Sequence, residues 1–170
     1  MVMKINISGL MSIIAEEERK FNTLSNSLRS NIYSTSIQEL NGTINIIDDY
    51  KEEFTKDLED YSNTMERISK LKAILYEKNN SFKLTDGRTI QEAIIDNANL
   101  RKMKATYEMM INFRNTKRRV TEVNNSYFEC KSLNYDINKI KEELKIIDSK
   151  LQETDFEISK LNSIEFEIDI

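Results

Sequence analysis

Residues 44–75 read INIIDDYKEEFTKDLEDYSNTMERISKLKAIL, and this stretch decides the predicted fold. Large apolar side chains recur there at alternating steps of three and four residues, which is the heptad pattern of a coiled coil. The positions that follow the pattern are Ile44, Ile47, Phe54, Leu58, Tyr61, Met65, Ile68 and Leu75, with Lys51 and Lys72 in the same frame. The pattern predicts one long helix over about 43–79.

Three further segments show helical periodicity. We expect helices over about 8–30, 89–115 and 134–163, each with an apolar stripe on one face. The Ser-, Asn- and Thr-rich stretch between the first two helices is expected to be a loop. A helix of about 36 residues is about 54 Å long, whereas a compact chain of this length is about 40 Å across. The sequence therefore predicts a single elongated helical domain over residues 1–170.

Two segments have strand character. β-forming residues around Asn124 and Asn125 predict a short β-arm over about 119–133. In the tail 164–170, apolar and acidic residues alternate, which is typical of a strand. Because a solitary strand is unstable, we expect the tail to pair with the arm or with another subunit. The predicted fold class is all-α: an elongated antiparallel helical bundle or coiled-coil hairpin of four main helices, with a short β-arm and a strand-like tail.

Composition limits the chemistry. The chain has 170 residues, with Pro 0, Gly 3, His 0 and Cys 1, so turn-rich all-β folds are excluded. Without His there is no imidazole base or His metal ligand, and one thiol cannot build a zinc or iron–sulfur site. We expect no cofactor, no metal and no enzymatic activity. An enzyme that uses only carboxylates, Lys, Arg and Tyr is the alternative left open.

The same composition favours a cytoplasmic location. The lone Cys130 allows no internal disulfide, which agrees with a reducing compartment. The opening residues MVMKINISG hold no apolar core of signal-peptide length, and no apolar run is long enough to span a membrane.

Two stretches carry a resemblance to a known family. Residues 79–93 read NNSFKLTDGRTIQEA and resemble the "TN…L-DGRT-x-x-EAL" signature of the small bacterial septicolysin-like family. Residues 146–153, IIDSKLQE, are similar to that family's "ELDTKIQE" helix. The resemblance implies a long helical hairpin with a short β-arm before the last helix. It also brings a cytolysin label, and no catalytic residues.

The first of these stretches contains a turn and a helix start. Asp86 and Gly87 are typical of a tight turn, and Thr89 with Glu92 forms a predicted capping box. Turn and cap chemistry explain every residue of this motif except Arg88. Arg88 beside a helix N-terminus is therefore a candidate anion contact.

The segment 101–119 is locally basic in a chain with a net charge of -4. It is a candidate contact for phosphates of nucleic acid or for an anionic surface. Alternatively it pairs, within an assembly, with the acidic residues Asp48, Asp49, Glu52 and Glu53. With Arg88, the candidate anion or partner contacts are Arg114, Lys117, Arg118 and Arg119.

These patterns predict a non-enzymatic structural or protein-interaction protein that self-assembles through coiled-coil seams and β-edges. Several stripes are wider than one seam can cover, so we expect a homo-oligomer, with another protein as a further partner. The candidate oligomer or β-edge contacts are Tyr127, Phe128, Ile164, Phe166 and Ile168. Two alternatives are a membrane-active, cytolysin-like protein and a nucleic-acid-binding protein. Neither a membrane nor a nucleic acid is the expected partner.

Overall fold

A computed structural model describes residues 2–169, and this part of the chain holds four helices and six short strands. The helices are α1 (Ile7–Ser30), α2 (Lys51–Ser81), α3 (Ile90–Met110) and α4 (Ile137–Asn162). The strands are β1 (Val2–Asn6), β2 (Thr35–Gln38), β3 (Ile44–Asp48), β4 (Thr116–Glu122), β5 (Asn125–Lys131) and β6 (Glu165–Asp169). They form three two-stranded antiparallel sheets, β1–β6, β2–β3 and β4–β5. The all-α prediction is therefore wrong, because the fold mixes helices with small sheets.

The chain divides into two compact units. The first unit is the chain up to Asn79 together with the chain from Asn162 onward, and it contains α1, most of α2, and the β1–β6 and β2–β3 sheets. The second unit is Asn80–Leu161, with α3, most of α4 and the β4–β5 sheet.

The start of the predicted long helix is a strand instead. β3 pairs with β2 across a turn at Asn41 and Gly42, and α2 begins only at Lys51. An Asn-Gly pair is a strong hairpin signal, and Gly42 in this turn takes a positive φ of 89° that glycine adopts without strain. The three isoleucines of β3 are β-branched and therefore favour a strand. A hairpin thus occupies the stretch that was expected to be a loop and a helix start.

The seam of α2 differs from the predicted frame by one position in each heptad. Leu58 and Met65 are exposed, whereas Thr64 is buried in place of Met65 and Leu71 in place of Lys72. The predicted frame would have turned Lys72 toward the neighbouring helix. Burying an ammonium group is costly, so the seam runs through the adjacent apolar Leu71. Lys72 lies at the edge, where its ammonium group binds the Glu18 carboxylate at 2.6 Å.

α1 and α2 run antiparallel in the first unit. The rings of Phe21 and Tyr61 stack with centroids 4.3 Å apart, and the Glu17 carboxylate binds the Arg67 guanidinium at 3.1 Å. In the sequence, Glu17 stands between Ile14 and Phe21, which helical periodicity places on the same face. The structure gives that carboxylate a partner on the facing helix.

The tail strand β6 pairs with β1 of the same chain, in the register Met3↔Ile168 and Ile5↔Phe166. From the sequence, this strand was expected to pair with the β-arm or with a second subunit. β1 escaped notice because its five residues, VMKIN, are too few to show a convincing alternation. Ile168 is buried in the core of the first unit, and Ile5 and Phe166 pack against that core. The other buried members are Leu10, Ile14 and Leu71.

In the second unit, α3 and α4 also run antiparallel. The Lys104 ammonium group binds the Asp148 carboxylate at 2.7 Å, and Arg101 binds Asp155 at 2.8 Å. The predicted β-arm is the hairpin β4–β5, with Val120 opposite Tyr127. The buried residues of this unit include Leu84, Ile90, Ala93, Asn97, Ile147, Leu151 and Thr154.

Candidate functional site

The β2–β3 hairpin exposes every residue of both strands. In the register Ser36↔Ile46 and Gln38↔Ile44, cross-strand partners share a face, so Ile44 and Ile46 lie on the same side of the sheet. Both isoleucines are exposed to solvent, and Ile37 on the opposite face is exposed as well. This hairpin therefore presents large apolar side chains on both faces.

Acidic residues follow this hairpin directly. We define the acidic junction as Asp48, Asp49, Glu52 and Glu53, which lie where β3 ends and α2 begins, and all four are exposed. Asp49 accepts hydrogen bonds from the Lys51 backbone N–H at 3.1 Å and from the Ser34 hydroxyl at 3.3 Å. Glu52 and Glu53 occupy the first turn of α2, where the helix dipole favours negative charge.

The β4–β5 hairpin has two faces of different charge. The pairs Lys117↔Cys130, Arg119↔Phe128 and Thr121↔Ser126 share one face. We call this the cationic face, because its six residues include two cations and no carboxylate. The Lys117 ammonium group lies 4.4 Å from the centre of the Phe128 ring, in cation–π contact. Among the residues that the structure describes, neither Lys117 nor Arg119 has a carboxylate within ion-pair distance.

The opposite face of the same hairpin is balanced. The Arg118 guanidinium binds the Glu129 carboxylate at 2.9 Å, and the Tyr127 hydroxyl donates to Glu122 at 3.3 Å. The predicted basic cluster is thus divided by the strand geometry. Lys117 and Arg119 lie on one face and the paired Arg118 on the other.

A side-chain network holds the turn 84–89. The Thr85 hydroxyl donates to Glu157 of α4 at 2.6 Å, and the Thr85 backbone N–H donates to the same carboxylate at 2.9 Å. These two hydrogen bonds lower the pKa of Glu157. The predicted capping box is confirmed: Thr89 accepts from the Glu92 N–H, and Glu92 accepts from the Thr89 N–H, which lowers the pKa of Glu92.

Arg88 is part of this network. Its guanidinium donates to Asp86 at 2.8 Å and to Asp96 of α3 at 2.7 Å. The hydrogen bond from Arg88 lowers the pKa of Asp86, and the two carboxylates raise the pKa of Arg88. The residue that turn and cap chemistry left unexplained thus has two carboxylate partners in the structure.

A cavity of about 610 Å³ lies between this turn, α3 and α4. Its charged lining residues are Asp86, Arg88, Asp96, Lys150, Glu153 and Glu157. Four of these six already bind one another or the turn, as described above. Among residues 2–169, no group of three or more Asp, Glu or Cys side chains is arranged to hold a metal ion.

A polar pair lies at the buried seam between α3 and α4. The buried Asn97 amide donates to the Asp155 carboxylate at 2.8 Å, and Arg101 donates to the same carboxylate. The Asn97 side-chain oxygen is buried without a hydrogen-bond partner among the described residues. Thr154 of α4, which precedes Asp155 in the sequence, is also buried. Buried polar groups of this kind align one helix against another.

The remaining sequence candidates lie in different places. Arg114 is exposed in the segment between α3 and β4, and Ile164 is exposed before β6. Tyr127 and Phe128 are exposed on the two faces of β5. Ile168 is buried in the core of the first unit, and Phe166 is partly buried and packs against that core.

Sequence reasoning missed Ile44 and Ile46 as surface residues, because it placed Ile44 in a helix. The signal that could have found them is the Asn41-Gly42 pair between two short β-branched runs.

No helix within residues 2–169 combines the length and the apolar character needed to cross a membrane.

Comparisons with known proteins give a family and a fold. The model of a family of unknown function, DUF6847, matches residues 48–159, which include the acidic junction and the β4–β5 hairpin. Among curated proteins, none matches this sequence significantly. The crystal structure of a functionally unknown conserved protein from Corynebacterium diphtheriae is similar, with a TM-score of 0.64 and 15% identity. That match covers 96% of this chain and 99% of the other, and it shows a shared fold. The septicolysin-like resemblance stays a prediction.

Proposed function

Because the chain belongs to DUF6847, a family of unknown function, we propose a function from its own geometry: a non-enzymatic protein-interaction protein that self-assembles. The observation that carries the proposal is the β2–β3 hairpin, which exposes large apolar side chains on both faces. A two-stranded hairpin without cover is marginally stable in water. Its open edges also offer unpaired backbone groups to another strand.

Exposed apolar side chains at the second hairpin support the same function. Phe113, Val123, Tyr127 and Phe128 are exposed in or next to the β4–β5 hairpin. Apolar and aromatic side chains concentrated on exposed elements are typical of protein-binding surfaces. A second copy that covers both hairpins would remove these side chains from water.

The absence of a catalytic step is part of the proposal. Around the cavity of the second unit, Asp86 and Asp96 bind Arg88, and Glu157 binds Thr85. Carboxylates held in this way support the turn and the helix pair. A cytoplasmic location also belongs to the proposal, since the exposed thiol of Cys130 would form intermolecular disulfides in an oxidising compartment.

The test is the mass in solution as a function of concentration, measured by light scattering after size exclusion. We expect a mass above the 20.0 kDa of one chain. The double variant Ile44→Thr/Ile46→Thr keeps β-branched residues in the strand and removes the apolar surface, so we expect it to shift toward the single-chain mass. The matched control Ile95→Gln/Met103→Gln changes two exposed apolar residues of α3 to good helix formers and should associate like the wild type.

A wild-type protein that stays at one chain's mass at every concentration would overturn self-assembly. Of the two sequence alternatives, the membrane-active one is tested by release of dye from lipid vesicles. Intact vesicles across pH and salt would remove it. The nucleic-acid alternative uses the cationic face and is tested together with the inference below.

A further inference from the structure

We propose that the cationic face of the β4–β5 hairpin in one copy binds the acidic junction of a second copy. This inference rests on the proposed self-assembly and names the surfaces that make the contact. It needs two exposed surfaces of opposite charge, each next to exposed apolar side chains. The described residues provide both.

The cationic face is one of these surfaces. Lys117 and Arg119 lie two residues apart on β4, so their side chains leave the sheet on the same side. Phe128 lies opposite Arg119 on the neighbouring strand, its ring contacts the Lys117 ammonium group, and it is 58% exposed. The carboxylates of this hairpin, Glu122 and Glu129, lie on the opposite face and already bind Tyr127 and Arg118. Nothing on the cationic face neutralises its two charges.

The acidic junction is the complementary surface. Its carboxylates follow directly on Ile44 and Ile46, so an apolar patch and a negative patch are contiguous along β3 and the first turn of α2. The cationic face likewise combines an exposed apolar side chain, Phe128, with two charges, but these charges are positive. Surfaces of this kind attract each other over a distance and then bury apolar area in contact.

Charge also favours a second copy over nucleic acid as the occupant. Tight binding of a nucleic acid needs cations on several successive phosphates. The cationic face offers two cations and one ring, and the chain as a whole carries a net charge of -4. An acidic segment of another copy matches a face of this size better than a polyanion does.

The experiment is a charge swap between copies. Lys117→Glu/Arg119→Glu makes both surfaces acidic. Asp48→Lys/Glu52→Lys/Glu53→Lys leaves the junction with three positive charges and the single carboxylate of Asp49, so both surfaces are then basic. Each variant alone should self-associate about tenfold more weakly or worse than the wild type, because like charges then face each other. An equimolar mixture of the two variants should recover the wild-type mass, since opposite charges meet again. Recovery also proves that both variants fold.

A matched control lies on the same hairpin. Arg118→Glu/Lys131→Glu changes the net charge by the same amount as Lys117→Glu/Arg119→Glu, but on the opposite face. We expect this control to associate like the wild type. Raising the salt concentration should weaken wild-type association, because exposed charges are screened.

The failures can be told apart. If the wild type associates and the swapped pair does not recover in the mixture, this inference is overturned and self-assembly stands. If the wild type never associates, both fail. A labelled oligodeoxythymidine of 20 nucleotides is the probe for nucleic acid. Binding that Lys117→Glu/Arg119→Glu abolishes, with self-association unchanged, would overturn the inference in favour of a nucleic acid.

Discussion

The β1–β6 and β2–β3 sheets of the first unit have the same construction but differ in burial. Each is antiparallel and two-stranded, with β-branched residues along its strands. Yet Ile168 in β6 is 5% exposed, whereas Ile46 in β3 is 66% exposed. The difference is not in strand propensity. It is in whether a helix covers one face of the sheet.

The β1–β6 sheet is covered by a helix because β1 leads directly into α1. The side chain of Asn6, the last residue of β1, accepts a hydrogen bond at 2.8 Å from the backbone N–H of Gly9 in the first turn of the helix. A Cβ on Gly9 would lie 2.9 Å from the Ile5 side chain, so glycine is what lets strand and helix approach. β2 has no such junction, because residues 31–34 separate it from α1. A small sheet is thus stabilised by its cover, and an uncovered one has surface left for a partner.

The largest expected effect is on the covered sheet. Ile168→Ala removes a side chain packed with Leu10 and Leu71, and we expect it to cost about 2–5 kcal/mol in the free energy of unfolding. Ile46→Ala, at the exposed position, should change that free energy by about 0.5 kcal/mol or less. Urea denaturation of the dilute, unassociated chain measures both. Equal losses for the two variants would contradict the comparison.

The junction of β1 with α1 should contribute less. Asn6→Ala removes the cap of α1, and we expect a loss of about 1 kcal/mol. Its matched control is Asn41→Ala in the β2–β3 turn, where the side chain accepts from the Thr43 N–H at 2.8 Å in full exposure. We expect about 0.5 kcal/mol or less for that control. The same denaturation measurement gives the loss in the free energy of unfolding for both variants. A larger loss for Asn41→Ala than for Asn6→Ala would contradict the comparison of the two sheets.

In the second unit, the turn 84–89 is likewise held against a helix, because Glu157 of α4 accepts two hydrogen bonds from Thr85. The folded-state pKa of Glu157 is lowered below its ordinary value of 4.5 by the Thr85 hydrogen bonds. A lowered pKa stabilises the fold above about pH 4.5, and that contribution is lost as the pH falls through the folded-state value. Glu157→Gln should therefore flatten the fall of Tm with acid below about pH 5.

Thr85→Val tests the same anchor from the other side, because it removes the hydroxyl that donates to Glu157 at 2.6 Å. It should flatten the same part of the Tm profile to a smaller extent, since the Thr85 backbone N–H still donates. Thermal unfolding at a series of pH values measures both variants. A Glu157→Gln profile parallel to that of the wild type would refute the anchor.

The smallest expected effect is on the unanchored hairpin of this unit. Arg118→Gln breaks the ion pair with Glu129, in which the two side chains are 75% and 42% exposed. Exposed pairs of this kind stabilise by about 0.2–1 kcal/mol, and we expect a loss in that range. Urea denaturation at low and high salt measures it. A loss well above this range would show that the β4–β5 hairpin is fastened to its unit after all.

Much of the local structure could be predicted from the sequence. The capping box at Thr89 and Glu92 depends on residues three apart, and the turn at Asp86 and Gly87 on adjacent ones. The alternation over 164–170 predicted a strand, and β6 occupies Glu165–Asp169, with Ile170 outside the described residues. The start of α2 was predicted wrongly because a heptad pattern outweighed the Asn41-Gly42 hairpin signal.

Other features depended on residues that the sequence does not bring together. Arg88 looked free for an anion because one of its two carboxylate partners, Asp96, lies eight residues away on α3. Phe166 and Ile168 looked like an open edge because β1 lies at the other end of the chain. The basic cluster looked continuous because strand register, which assigns Arg118 to the face opposite Lys117 and Arg119, was unknown.

Sequence alone determined most of the helix spans and the turn 84–89, because periodicity and capping are set by side chains within a few residues of one another. Only the tertiary structure decided which strands are covered, which stripe of α2 faces inward and which charges are neutralised. Those outcomes rest on contacts such as Thr85 with Glu157, 72 residues apart, and the packing of the whole chain selects among many such pairs. The two uncovered hairpins are the result of that selection, and their exposed side chains are why we look for a second copy.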